Sequence, residues 1–399
     1  MPRRTWSEVN VTIRFAALCA GLLIVLAGCA SRPDAGALAV STLQAPGATT
    51  HDILVVSTRE RDDRPNTYFN GERARKTDFA EATISVPPNH KPGTIEWPSI
   101  LPGDPKKDFV PRQAGYIDGS TAFTSRLNQR LSALPRGQRT VFLFIHGYNT
   151  RFPESLYRFT QLVHDADFKG VPILFSWASR GKLQDYVYDL NSAAIARDGL
   201  EKTLRLIDSS KAERIVILAH SMGNWLMMET ARQIPPAERK KLSRKVERVF
   251  LAAPDIDIDV FKSQLKRIGR QSKPYVILVS RDDRALRLSK TIAGGKERVG
   301  AYQDDEELAQ LGAIVIDLTD LKATDSAHHA KFTQLAEFSP QVQKILSQPG
   351  VMAGAAGQET QLDAAGNDLG SFISSTARVV VTLPVAVVTA PIKLATGNP

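Results

Sequence analysis

From residue 140 onward the chain alternates between short, almost wholly apolar runs and longer stretches in which apolar residues recur every three or four positions. The runs are TVFLFI (140–145), VPILFSW (171–177), RIVILA (214–219), RVFLAA (248–253), YVILVS (275–280) and AIVIDL (313–318). A strand covered on both faces shows no polar alternation, so each run predicts a strand of a buried, parallel sheet. Between them a period near 3.6 predicts helices over about 153–167, 182–208, 222–233, 258–268 and 284–293. In the second of these, Leu183, Val187, Leu190, Ala194, Leu200, Leu204 and Ile207 share one face, the expected buried stripe. Strands spaced by helices predict an α/β fold with a mostly parallel, doubly wound sheet and helices on both faces.

Outside this region the pattern changes. Ordered structure is expected to begin at ILVVST (53–58), within a domain spanning 51–348. Residues 59–118 are irregular, rich in charge and proline, and predict short antiparallel strands such as EATISV (81–86) joined by long loops. Residues 29–50 are small and nearly uncharged, as a tether would be. Residues 349–399 return to small and β-branched types, a low-complexity tail that could form a hairpin, a surface-seeking segment or disorder. Its prolines and Lys393 argue against a membrane-spanning helix.

The first 28 residues read as a secretory signal: Arg3, Arg4 and Arg14 precede an apolar run from Phe15 to Ala27 that ends in LAGC (26–29). That ending resembles a bacterial lipobox, which implies a lipidated Cys29, palmitate included, as the membrane anchor. Ala30 instead of Asp after the cysteine resembles a signal for the outer membrane, so the expected location is the cell envelope, facing the periplasm. Cys19 and Cys29 are the only cysteines, which excludes a disulfide or a thiolate metal site beyond residue 29. The formal charge of +9 favours anionic head groups, but no basic stripe with interleaved aromatics points to nucleic acid. No metal and no cofactor is implied.

Candidate chemistry lies at the ends of the apolar runs. In LAHSMGN (218–224) Ser221 follows a buried strand and precedes a helix, with Ala219 and Gly223 two residues to either side. A sharp strand-to-helix turn lifts a serine hydroxyl above the sheet and needs small residues at those two positions. The pattern alone occurs by chance roughly 0.3 times in a chain this long, so its surroundings must support it. FIHGYNT (144–150) ends an earlier strand, where a His-Gly opens the loop that gives one backbone NH to an oxyanion hole. The expected donors are Met222 and Tyr148, or Asn149 in place of Tyr148. His146 itself is expected to brace the loop.

A serine nucleophile needs a base and an acid, and in the α/β-hydrolase fold, which the serine turn after a buried strand resembles, these follow in the chain order Ser, acid, His. Of seven histidines, that order leaves His328 and His329, and it assigns His220 to packing. Asp282 and Asp283 follow the strand YVILVS, and Asp283 is preferred to Asp255, which follows the strand before. Asp283 could also cap the helix at 284, and DIDID (255–259) reads as a helix start.

These segments together resemble the bacterial α/β-hydrolases of unknown function of the esterase/lipase superfamily. The likeness rests on VVSTRERD, ATISVP, FIHGYNTRF, LFSWAS, LAHSMGN, LAAPDIDIDVF, VSRDDRAL and HHAKF, and covers about residues 51–345. It implies Ser221 as nucleophile, Asp283 as acid and, as the histidine two before a lysine, His329 as base. The implied activity is hydrolysis of an ester or related acyl bond through an acyl-enzyme, on a small-molecule or lipid substrate. A non-catalytic binding scaffold, or an acyltransferase or thioesterase using the same three residues, would carry the same signature.

Overall fold

The computed structural model describes residues 32–269, 271, 273–338 and 380–382. The signal segment with Cys29 and nearly all of the tail lie outside the described residues. No helix among the described residues is long and apolar enough to cross a membrane.

A single sheet organises the described chain. β1 (Thr49–Asp62), β2 (Tyr68–Val86) and β3 (Val110–Ile117) build one antiparallel edge. β4 (Thr140–Ile145), β5 (Val171–Ser176), β6 (Arg214–His220), β7 (Val246–Ala252), β8 (Tyr275–Val279) and β9 (Ile314–Asp317) run parallel to one another and to β1. β10 (Val380–Thr382) pairs antiparallel with β9, and the spatial order is β10-β9-β8-β7-β6-β4-β5-β1-β2-β3. This is the mostly parallel α/β sheet that the alternation predicts.

Two hydrophobic clusters cover its faces. Leu143, Ile145, Ile217, Ala219 and Ile277 point to one cluster, and their neighbours Phe144, Leu218, Val276 and Leu278 point to the other. Strands apolar at every position are therefore required, because both faces are dry. The first cluster packs under α1 (Gly119–Ser132), α3 (Tyr186–Ser209), α4 (Met222–Gln233) and α6 (Ile258–Ile268). The second packs under α2 (Phe152–Asp165). Each fully buried Leu, Ile or Phe contributes about 1.5–3 kcal/mol relative to an exposed one. α5 (Pro236–Leu242), α7 (Arg284–Ile292) and α8 (Asp305–Gln310) complete the helices described.

Several expectations need correction. Residues 59–118 are more regular than their charge suggests: β1 and β2 are long strands of 14 and 19 residues, and irregular chain is confined mainly to 87–109. Much of β2 is only half covered, so charged side chains occupy it and hide its period. The tether expected over 29–50 is largely exposed where the structure describes it, but it is tied down at a few points, and β1 already begins at Thr49. Ala37 and Leu38 are buried, and Leu38 NH donates to Asn66 O at 2.9 Å. α1 was not expected because its stripe is narrow, carried by Phe123, Leu127 and Leu131. The apolar face predicted for α3 fails at its start: Leu183 and Val187 are 58% and 63% exposed. The buried stripe there is Tyr186, Asp189, Ala193 and Ala196, small or polar residues that a search for aliphatics passes over.

The sheet order also fixes where a site can form. From β4 the chain moves outward to β5 and then returns to β6 on the other side, so the connections from β4 and β6 leave in opposite senses. A crevice opens beyond the C-terminal ends of such a pair. The loops leaving β4 and β6 are HGYNT and the Ser221 turn.

Candidate active site

Ser221 sits between the end of β6 and the start of α4, 4% exposed, with φ 54° and ψ −125°. A left-handed φ in a non-glycine residue costs of order 1–3 kcal/mol and persists only where the surroundings enforce it. Here they do. Ser221 NH donates to Ala252 O at 3.0 Å, while Ser221 O accepts from the backbone NH groups of Asn224 (3.0 Å) and Asp255 (3.2 Å). Asn224 Nδ2 bridges Ser221 O (3.0 Å) and Ala252 O (2.8 Å).

Close approach explains the two flanking glycines. A Cβ at Gly223 would lie 2.4 Å from His146 O, and one at Gly147 would lie 2.8 Å from Ser221 Cβ. The β4 loop and the serine turn thus approach each other closely, with no room for a side chain at Gly147 or Gly223.

That loop is built on buried polar groups. His146 is buried, its ring stacked on Trp177 at 5.0 Å and 9°. Its Nδ1 faces Gly147 O at 2.8 Å, and its Nε2 accepts from Trp177 NH at 3.1 Å. Burial and the nearby Arg59 guanidinium hold its pKa well below the ordinary histidine value, so it is a neutral brace, as expected. Asn149, the alternative oxyanion donor, has φ 55° and gives its NH to Asp189 Oδ2 at 3.1 Å. Tyr148 NH makes no hydrogen bond among the described residues. This favours Tyr148 over Asn149 as a donor.

Arg59 and Asp189 are the residues that sequence reading missed. The Arg59 side chain, 1% exposed, donates to Ser176 Oγ (2.8 Å), Asn70 O (3.1 Å), Ser179 O (2.8 Å) and Thr150 O (2.7 Å), and its Nη2 lies 3.3 Å from His146 Nε2. Burial lowers its pKa to about 10, against the opposing pull of Asp189 and Glu154. At the end of an apolar run an arginine reads as the point where a strand meets water. Its place in VVSTRERD inside a central strand was the available signal.

His329 lies on the loop after β9, with Nδ1 2.6 Å from Asp283 Oδ2. Asp283 is fully buried and uses its other oxygen, Oδ1, to accept Leu286 NH at 2.9 Å. The capping role and the histidine-partner role expected as rivals therefore coexist on one carboxylate. Burial alone would lower the His329 pKa; the Asp283 carboxylate and its hydrogen bond, with Asp255 and Asp325, raise it above the ordinary value. The His329 ring lies 4.6 Å, centroid to centroid, from that of His220, the neighbour of Ser221. Among the described residues, His329 Nε2 has no hydrogen-bond partner.

The other candidates are placed elsewhere. Asp255 hydrogen-bonds no histidine among the described residues: it accepts from Tyr186 OH (3.1 Å) and Ser289 Oγ (2.7 Å) and pairs with Arg298 (3.2 Å). Asp257 caps α6, as a helix start should. His220 packs on Phe332 at 4.4 Å, and burial together with His329 holds its pKa well below the ordinary value. His328 pairs with Asp282, Nδ1 to Oδ2 at 2.7 Å. The described residues hold no group of three or more His, Cys, Asp or Glu arranged for a metal ion. A cavity of about 60 Å³ lined by Leu204, Ile217, Met227 and Tyr275 lies at the opposite, N-terminal end of the strands and plays no part in this arrangement.

Among solved structures, an esterase from Rhizomucor miehei is similar at 14% identity over 76% of this chain and 86% of that one, with a TM-score of 0.29. LpqC, a poly(3-hydroxybutyrate) depolymerase from Bordetella parapertussis, is similar at 12% identity over 75% and 79%, with a TM-score of 0.28. Likeness at that level carries no argument about chemistry. The uncharacterized protein alr1448 of Nostoc sp. is 30% identical over 103 residues, a match that spans 21% of this chain and 27% of that protein. Residues 120–348, more than half of the chain, match the family described as "Alpha/beta hydrolase of unknown function (DUF900)". With its sheet order and its strand-to-helix serine turn, the chain belongs to that alpha/beta-hydrolase family.

Proposed function

We propose that the protein is a serine hydrolase of carboxylic esters or related acyl bonds, with Ser221 as nucleophile, His329 as base and Asp283 as its orienting acid. The observation that carries this reading is the 2.6 Å Asp283–His329 bond, which occupies Nδ1 and leaves Nε2 without a hydrogen-bond partner among the described residues, with the His329 ring 4.6 Å from that of His220, the neighbour of Ser221. Nε2 takes the Ser221 Oγ proton as that oxygen bonds to the acyl carbon, and the negative charge moves to the carbonyl oxygen. The NH groups of Met222 and Tyr148 receive that oxyanion; each such donor is worth about 2.7–4 kcal/mol in the transition state. His329 then returns the proton to the departing alcohol, and water repeats the cycle on the acyl-enzyme. Asp283 fixes the tautomer and supports the imidazolium.

Turnover of p-nitrophenyl butyrate by wild type and Ser221→Ala tests this reading. Loss of at least about 10⁴-fold is expected; equal rates would overturn it. We also propose attachment to the cell envelope through a lipidated Cys29. Cys29→Ala should shift the protein from the membrane fraction to the soluble fraction, and unchanged partition would contradict the anchor.

A further inference from the structure

The loop that carries His329 is irregular chain, and a base placed about 1 Å wrong can cost on the order of 100-fold in rate. Something must fix it. Asp325 holds it locally, accepting His329 NH and Ala330 NH at 3.0 Å each. Cross-links to the β8 loop supply the rest. Arg284 donates through its backbone NH to Ala327 O at 2.9 Å and through Nη1 to Ser326 O at 3.3 Å, and two further ties, from His328 and Lys331, converge on Asp282.

Asp282 Oδ1 accepts from Lys331 Nζ (2.7 Å) and Ser280 Oγ (2.6 Å), while Oδ2 lies 2.7 Å from His328 Nδ1. Lys331 is 1% exposed and also donates to Thr319 O at 2.6 Å, so its charge is held inside the protein against Asp282. His328 sits at φ 57°, a strained conformation that this bond helps to enforce. Two adjacent carboxylates thus face two adjacent imidazoles, Asp282 with His328 and Asp283 with His329.

The two pairs differ in what remains free. The side chains of the His328–Asp282 pair are 30% and 35% exposed and Asp282 is shared among three donors, whereas Asp283 is fully buried and serves one imidazole. Burial would raise the Asp282 pKa, but its partners hold it at about 2, so it is a standing anion across the physiological range.

We propose that Asp282, gripping Lys331 and His328 on either side of His329, is a positioning residue that sets the base against Asp283. This rests on His329 being the base. Asp282 acts only through the loop and meets no reacting atom.

The test uses the full chain, p-nitrophenyl butyrate turnover and the downfield proton resonance of the His329 Nδ1–Asp283 bond, assigned by its loss in His329→Gln. Asp282→Asn should lower kcat about 10- to 100-fold with KM within about threefold. His328→Asn, at a part-exposed position, should lower kcat about three- to tenfold. In both, the resonance should broaden or move upfield. Rates within about twofold of wild type in both variants, or an unmoved resonance, overturn the proposal. If Asp282→Asn fails to fold, His328→Asn decides by the same two readouts. A wild type without turnover would overturn the reading of His329 as base, while the resonance would still report whether Asp282 fixes the loop.

Discussion

Two histidine–carboxylate sites stand at opposite ends of the parallel strands and resemble each other in bond length only. At the start of β1 and the end of α2, His90 bonds Glu96 through Nδ1 (2.7 Å) and Asp165 through Nε2 (2.8 Å). His164 lies beside it, and His51 Nε2 is 3.0 Å from His164 Nδ1. At the other end His329 bonds Asp283 at 2.6 Å through Nδ1 alone. Both nitrogens of His90 are committed to carboxylates, which stabilises a fixed imidazolium that ties the 87–96 loop to α2. One nitrogen of His329 is open, and that half-satisfied state is what a base requires. A short histidine–carboxylate bond by itself therefore says nothing about catalysis; the role proposed for His329 rests on its open nitrogen and on the strained turn at Ser221.

Substitutions sharpen the contrast, and His329→Ala should have the largest effect. It is expected to lower kcat/KM for p-nitrophenyl butyrate by at least about 10⁴-fold, measured as initial rates, while His90→Ala leaves the rate within about threefold. Asp283→Asn should cost about 10³- to 10⁴-fold and move the acidic midpoint of the pH–rate profile downward, because it removes the main influence that raises the His329 pKa. With His329 as the proposed base, its neutral form is the active one, so kcat/KM should rise with pH through a midpoint above the ordinary histidine value.

Smaller effects concern folding. Arg59→Met would leave Thr150 O and Ser179 O without the donors Arg59 supplies and should destabilise the chain by about 3 kcal/mol in urea denaturation. At the His90 site the pKa shifts have opposite signs. Burial opposes charging, but Asp165 and Glu96 raise the His90 pKa, and His90 lowers theirs. The histidine's contribution is full below its unfolded pKa and is lost as pH rises through the raised folded value. The carboxylates contribute above their unfolded pKa values and lose that contribution as pH falls through the lowered ones. The stability gap between wild type and His90→Ala should therefore be widest between about pH 4.5 and 6.5. A flat gap from pH 4 to 9 would contradict the assignment.

The parallel strands were legible because burial on both faces leaves no polar position to interrupt them. Ser221, the β4 loop and the two Asp–His candidates were legible because chain order and strand ends restrict where such chemistry can stand. What sequence alone could not resolve is instructive. β2 is long but half covered, so its charges hid it. Asp189 and Arg59 occupy core positions through hydrogen bonds that only the folded chain reveals. His328 and His329 are adjacent residues of one type, and no local pattern says which meets Asp283; on the residues alone they stayed equivalent, and the preference for His329 came from the family resemblance.

The most direct measurement is intact-mass analysis of the native chain after a fluorophosphonate, with the adduct mapped by peptide sequencing. The account predicts one adduct on Ser221, formed slowly or not at all in His329→Ala and in heat-denatured protein, and formed at the wild-type rate in His90→Ala. No adduct on native protein, or equal labelling of native and denatured chains, would contradict it.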